Sequence, residues 1–185
     1  MRKLSTIERT VLGIVWKRGP CTIYAVTKEL SDSTSAFYKE RASTVYPIAD
    51  RLLSQGLIEH RSAAGTRQER SVAITESGIE AVEQWLLQPI KIQDSSHTVD
   101  LIRLRVFYLG TLSPDDRKQF LETALESLHE HLENCKKMIE NYQSLGDTFS
   151  VLATQGVVYE TLARIQWLDA ISEELLKASK GRPNK

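Results

Sequence analysis

Apolar side chains in the first half of the chain recur at helical rather than strand spacing. Leu4, Ile7, Val11, Ile14 and Val15 predict a first helix. Ser5 or Thr6 caps it, and Glu8, three residues after Ser5, completes a capping box. Gly19-Pro20 stops the element. Thr22 opens a short second helix with Ile23, Val26 and Leu30 on one side, and a polar stretch, Ser31–Ser35, follows. A third helix is predicted over 40–55, with Val45, Ile48, Ala49, Leu52 and Leu53 at i, i+3, i+4, i+7 and i+8 and Gly56 at its end. Two strand-like runs, Leu57–Arg61 and Arg70–Ile74, flank a small polar segment containing Gly65 and read as a hairpin. Thr75 then caps a fourth helix reaching Trp85–Leu87, closed by Pro89. Three helices, a hairpin and a helix in that order describe a winged helix-turn-helix, assigned to residues 1–88.

Residues 89–185 have another character and are assigned to an α-helical dimerisation and effector domain, so the fold class is mainly α. A nearly continuous apolar helix is predicted over 98–109, ended by Gly110 and the helix start Ser113-Pro114-Asp115. The next helix carries Leu121, Leu125, Leu128, Leu132, Cys135, Ile139 and Tyr142 at intervals of 4, 3, 4, 3, 4 and 3, three heptads of a coiled-coil seam. Gly146 ends it, and a last helix carries Val158, Leu162, Ile165, Leu168, Ile171 and Leu175 before the polar tail Lys180–Lys185. The expected dimer interface is the seam together with Leu162 and Ile165, each pressed against a second subunit.

Composition changes this picture little. The 185 residues have zero formal net charge, and nucleic acid is recognised by local patches rather than by the sum over a chain. Residues 1–88 hold 12 Lys and Arg against 10 Asp and Glu, and the remainder 12 against 14, a weak asymmetry of the sign that DNA at the N-terminal end requires. Cys21 and Cys135 are the two cysteines, with no disulfide framework. With no signal-like apolar start and no run long enough to span a bilayer, a cytoplasmic protein without a membrane partner is expected.

A recognition helix must anchor an apolar face on its neighbours and lead with residues able to meet phosphates and base edges. Helix 40–55 has the apolar stripe, and Lys39, Arg41, Ser43, Thr44 and Tyr46 form its leading turn. Arg61, Arg67 and Arg70 lie on and beside the wing, where guanidinium groups reach phosphates or the minor groove. Pro47 is a helix-start residue, while Tyr46 fits either the core or a phosphate contact. His131 and Cys135 share a helix face but lack further ligands at metal spacing, so no metal or cofactor is expected, and Cys135 reads as a packed hydrophobe. No phosphate loop, G-x-S-x-G elbow or H-E-x-x-H occurs, and the chain is read as a non-enzyme.

At these residues the chain resembles the PadR family of transcriptional regulators. Leu12-Gly13-Ile14-Val15 through Gly19-Pro20 and then Tyr24 match the family's first helix, turn and second helix. Ser43-Thr44-Val45-Tyr46-Pro47, Arg51-Leu52-Leu53 and Gly56-Leu57-Ile58 match its recognition helix, and Ile74-Thr75-Glu76-Ser77-Gly78 its exit from the wing. Tyr24 and Arg51, within those motifs, complete the DNA-contact set. The helical half is similar to that of larger members and of AphA-like virulence activators, through Trp85, Pro89 and Ile165-Gln166-Trp167. The chain departs from the family at Thr22-Ile23, where His-Gly is usual, and at Ser71-Val72, where aromatics are common. The resemblance implies a homodimer on a pseudo-palindromic operator of double-stranded DNA, often a repressor released by a phenolic or other small hydrophobic effector.

Phe107, Tyr108 and Trp167, with Tyr24 and Trp85, are either the lining of such an effector cavity or plain core. In the expected mechanism a twofold axis sets two recognition helices roughly 34 Å apart, and effector binding shifts them. An activator or constitutive DNA binder without a ligand fits the same sequence, as does an adaptor whose coiled coil is the working surface. Salt-dependent binding to duplex DNA separates the regulators from the adaptor.

Overall fold

The computed structural model describes residues 4–33, 35–61, 71–90 and 100–180, so the wing tip with Arg67 and Arg70, the start of the predicted helix 98–109 and the last five residues lie outside the described residues. Two compact units, Met1–Ser95 and Ser96–Lys185, divide the chain.

In the first unit, α1 (Thr6–Arg18) starts on a complete capping box, with the Ser5 side chain bonded to the Glu8 backbone and the Glu8 side chain bonded back to Ser5. A strand, β1 (Cys21–Thr22), precedes α2 (Ile23–Ser31), α3 (Ala36–Arg41), a 3-10 turn (Ala42–Thr44), α4 (Val45–Ser54), β2 (Ile58–Arg61), β3 (Ser71–Ile74) and α5 (Glu76–Leu86). The predicted third helix is therefore two helices separated by a tighter turn. Pro47 explains the break, because its ring crowds the carbonyl four residues earlier and it has no N–H to bond it, which sets the start of regular α4 at Val45. The sheet is antiparallel in the order β1-β3-β2, with Cys21 opposite Val72 and Ile58 opposite Ile74. The two-residue β1 is too short for any periodicity to reveal. Val11, Leu12, Val15, Val26, Val45, Ile48, Leu52, Leu57, Ile58 and Val72 form the buried core beneath all of these elements.

In the second unit, α6 (Leu101–Val106) is short and is followed by a 3-10 turn (Leu109–Thr111). The continuous apolar helix expected there is instead amphipathic. Ile102 and Val106 turn inward, while Leu101, Leu104, Phe107 and Tyr108 stay exposed. Two long helices follow, α7 (Pro114–Ser144) and α8 (Thr148–Lys180), the latter starting ten residues before Val158. They pack along most of their length. Leu121, Ala124, Leu128 and Leu132 of α7 are buried with Ile165 and Leu168 of α8, and Leu125, Val158, Trp167, Ile171 and Leu175 pack around them. Of the expected dimer seam, Leu121, Leu128, Leu132 and Ile165 are buried, and Leu125 half-buried, between the chain's own α7 and α8. Cys135 is fully buried in the single subunit, and Ile139 and Tyr142 are half-buried there. Leu162 alone of the expected interface residues is largely exposed. Among the described residues, no helix is long and apolar enough to cross a membrane.

Candidate nucleic-acid interface

The first turn of α4 has two chemically opposite sides. Val45, Ile48, Ala49 and Leu52 are buried at the stripe that the spacing predicted, while Ser43, Thr44, Tyr46, Pro47 and Asp50 are exposed. Tyr46 is 54 % exposed, which places it outside the core. Tyr24, in the first turn of α2, is 62 % exposed. Lys39 is exposed on α3. These side chains carry mixed donors of the types able to contact phosphates and base edges.

Local bonds set the shape of this edge. Thr22 caps α2 by accepting from the Ala25 amide at 3.1 Å, which fixes the turn that carries Tyr24. Thr44 donates its hydroxyl to the Arg41 carbonyl at 2.7 Å across the 3-10 turn. Arg41 folds back along α3, donating to the Phe37 carbonyl at 3.2 Å with its guanidinium carbon 3.9 Å from the Phe37 ring centroid. Phe37 in turn meets Tyr38 edge to face. Arg41 is therefore half-buried against its own helix, and the freely projecting cation of this turn is Lys39.

Arg51 differs most from expectation. Its Nε donates to Oε1 of Glu8 at 3.1 Å, a bond between α4 and α1 that no sequence motif announces. On the wing, Arg61 is exposed but pairs with Glu59 at 2.9 Å. Cys21, at the edge of the sheet, has its thiol pushed above the ordinary value by burial, with Arg18 pulling the other way and Glu29 adding to the rise. That environment suits a packed side chain rather than a reactive thiolate.

Asp100 caps α6 and its carboxylate joins Arg164 of α8 at 3.0 Å, tying the short helix to the long one. Arg117 donates to the carbonyls of Leu109 and Gly110 at 2.8 and 3.0 Å, fixing the turn into α7. Three of the aromatics expected to line an effector cavity have different surroundings. Trp167 packs on the α7–α8 core, whereas Phe107 and Tyr108 are 78 % and 64 % exposed. His131 and Cys135 approach to 3.7 Å, and among the described residues no group of three or more His, Cys, Asp or Glu could hold a metal ion.

Comparison with known proteins agrees with this geometry. Residues 11–84 match the transcriptional regulator PadR-like family. The negative transcriptional regulator PadR of Bacillus subtilis (strain 168) is 20 % identical over 178 residues, covering 91 % of this chain and 96 % of the relative. The crystal structure of Bacillus subtilis PadR in complex with operator DNA matches with a TM-score of 0.76 at 20 % identity, over 92 % of this chain and 99 % of that one. The same protein in complex with p-coumaric acid matches with a TM-score of 0.72 at 19 % identity, over 91 % and 94 % of the two chains. The virulence activator AphA of Vibrio cholerae gives 0.68 at 19 % identity, over 94 % and 99 %. At these identities the structural matches establish a shared fold that includes the helical half.

Proposed function

From the premise that its winged helix belongs to the PadR-like family of transcriptional regulators, we propose that this chain binds a specific duplex operator as a homodimer and represses until a small aromatic effector releases it. The observation that carries the reading is α4, anchored by Val45, Ile48 and Leu52 while Ser43, Thr44 and Tyr46 lead its exposed edge beside Lys39. A helix so held can enter the major groove without giving up its core contacts. Lys39 neutralises phosphate charge, and Ser43, Thr44 and Tyr46 offer hydroxyls to phosphates and base edges.

The dimer is assigned to the outer face of α8 rather than to the α7 row. Phe149, Leu152 and Tyr159 lie on the side of α8 opposite Thr154, Thr161, Ile165 and Leu168, and all three are exposed in the single subunit. An exposed row of large apolar groups on one long helix supports self-pairing. Twofold pairing sets two α4 helices roughly 34 Å apart for successive major grooves. The effector is read as a phenolic acid because a relative of the same fold has been crystallised with p-coumaric acid. An effector that binds the released arrangement tenfold more tightly shifts the balance by about 1.4 kcal/mol.

The test is a mobility shift on the region upstream of the chain's own gene and on a duplex selected from a random pool. Lys39→Ala/Ser43→Ala/Tyr46→Ala is expected to fold and dimerise normally but bind at least roughly a hundredfold more weakly, from contacts worth about 1–3 kcal/mol each. Parental affinity in the triple variant rejects α4 as the reading element. Titrating p-coumaric acid into the complex tests release: an unchanged shift at millimolar acid rejects that effector class and leaves a DNA binder without this ligand.

A further inference from the structure

We infer that Glu8 is a positioning residue for DNA binding: from beneath the recognition helix it holds Arg51 by the Nε edge and presents the rest of the guanidinium to a backbone phosphate. The inference rests on the reading of α4 given above and adds to it a residue that itself touches no DNA.

Glu8 divides its carboxylate between two helices. Oε2 accepts from the Ser5 amide at 2.8 Å and from the Ser5 hydroxyl at 2.9 Å, which completes the cap of α1. Oε1 faces α4 and accepts from Arg51 Nε at 3.1 Å, across 43 residues of sequence. A capping box is served as well by glutamine, so the cap by itself does not call for a charge. The charge has its use at Oε1, where a fully desolvated carboxylate is tolerable because a guanidinium answers it.

The two partners are unequally buried: the Glu8 side chain is 1 % exposed and that of Arg51 44 %. An arginine needed only to neutralise a buried acid would be covered along with it. Arg51 instead stands in the exposed row Thr44, Pro47, Arg51, spaced i, i+3 and i+7 along the face of α4 beside the buried stripe. A guanidinium carries five donors in a planar fork, so a carboxylate on the Nε edge is compatible with a phosphate on the outer nitrogens. Holding the fork before the duplex arrives removes the loss of side-chain freedom that a mobile arginine would suffer on binding.

The experiment measures anisotropy of a fluorescent duplex, selected by the parental protein from a random pool, over a salt series with the full chain. Arg51→Gln is expected to flatten the slope of log affinity against log salt by about 0.9 per subunit, one phosphate contact. Glu8→Gln is expected to weaken binding roughly two- to twelvefold per subunit, the equivalent of ordering one long side chain. The sign is diagnostic, because deleting a negative charge near the duplex would by simple electrostatics tighten binding. The double variant Glu8→Gln/Arg51→Gln should lose no more than Arg51→Gln alone, since Glu8 acts through Arg51. A parental salt slope in Arg51→Gln, equal or tighter binding by Glu8→Gln, or additive losses would each overturn the inference. If circular dichroism shows Glu8→Gln unfolded, Arg51→Lys decides. A lone ammonium is not a fork, so the salt slope should persist while affinity drops, and undiminished affinity rejects the clamp. A parent that selects no duplex at all fails the DNA-binding reading itself, a result distinguishable from every variant outcome.

Discussion

The two halves of this molecule bury their apolar residues in opposite ways. The winged helix folds five helices and a small sheet around one core, in which Val11, Leu12, Val15, Val26, Val45, Leu52, Leu57 and Val72 are all fully buried. Among what it leaves exposed are hydroxyl-bearing side chains, Ser43, Thr44 and Tyr46 on and before α4 and Tyr24 on α2. The helical half has two long helices and buries one row from each, and α8 is apolar on its far side as well, where Phe149 is 82 % and Tyr159 72 % exposed. The outer face of α7, by contrast, is lined by Lys118, Glu122, Glu126, Glu130, Glu133 and Lys137. One half closes its core within the single chain, and the other carries a helix with two apolar sides, only one of them buried.

The sharpest way to break that contrast is to charge the outer side of α8. Phe149→Glu/Tyr159→Glu removes two large aromatics from each copy, worth about 1.5–3 kcal/mol apiece when fully buried, and sets like charges in the contact. Sedimentation is expected to show the dimer dissociation constant rising at least a thousandfold, with helicity retained because neither residue touches the α7–α8 core. A dimer that survives at parental concentration would mean that α8 is covered by something other than its twin.

What could be read from the sequence follows the same divide. The 3.6-residue stripe Val45, Ile48, Ala49, Leu52 located α4 and its buried side, because a core that closes on itself imposes its period on each element. The row Leu121–Cys135 was equally visible, yet its partner was not: periodicity says that a stripe is covered, never by which chain. Its true partner was disguised. The inward row of α8 includes Thr154 and Thr161, whose hydroxyls are satisfied by the carbonyls of Ser150 and Val157 at 2.7 and 2.8 Å. With polar residues inside and Phe149, Leu152 and Tyr159 outside, α8 shows no clean amphipathic pattern. In the sequence Glu8 shows only as a helix cap, because a contact across 43 residues leaves no local trace.

A second prediction probes how tightly the first half is closed. Gly78, in the first turn of α5, lies against the strand exit so closely that an added Cβ would stand 2.1 Å from the Leu57 carbonyl oxygen and 2.6 Å from Ile74 Cγ1. Backbone cannot yield as a flexible side chain can. Gly78→Ala is therefore expected to cost about 3 kcal/mol, at the upper end for overpacking, read as a lower urea midpoint in the isolated first unit's transition. Gly156, on α8, meets nothing within 4 Å, so Gly156→Ala is expected to hold or raise monomer stability. Equal losses at the two positions would erase the distinction between a closed core and an open helix.

The smallest effect compares one chemical change in both settings. Thr75 and Ser113 each cap a helix by accepting an amide hydrogen bond, from Gly78 at 3.1 Å and from Asp116 at 3.2 Å. Thr75 does more: its hydroxyl donates to the Gly56 carbonyl at 2.7 Å and its amide to the Leu57 carbonyl at 3.1 Å, joining the end of α4 to the wing and to α5. Ser113 is exposed, and its second bond is to the side chain of Asp116 in the same turn. Caps are worth about 0.5–2 kcal/mol, with buried and networked ones at the top of that range. Thr75→Ala should therefore lower stability by about 2 kcal/mol and, if α4 reads the duplex as proposed, weaken DNA binding, because the exit of α4 loosens with it. Ser113→Ala should cost about 0.5 kcal/mol and leave DNA affinity at the parental value, fraying only the first turn of α7. Hydrogen exchange at the Gly56–Gly78 amides and at the Asp115–Arg117 amides would separate the two, and indistinguishable protection would show that the winged helix does not bind its caps into its core.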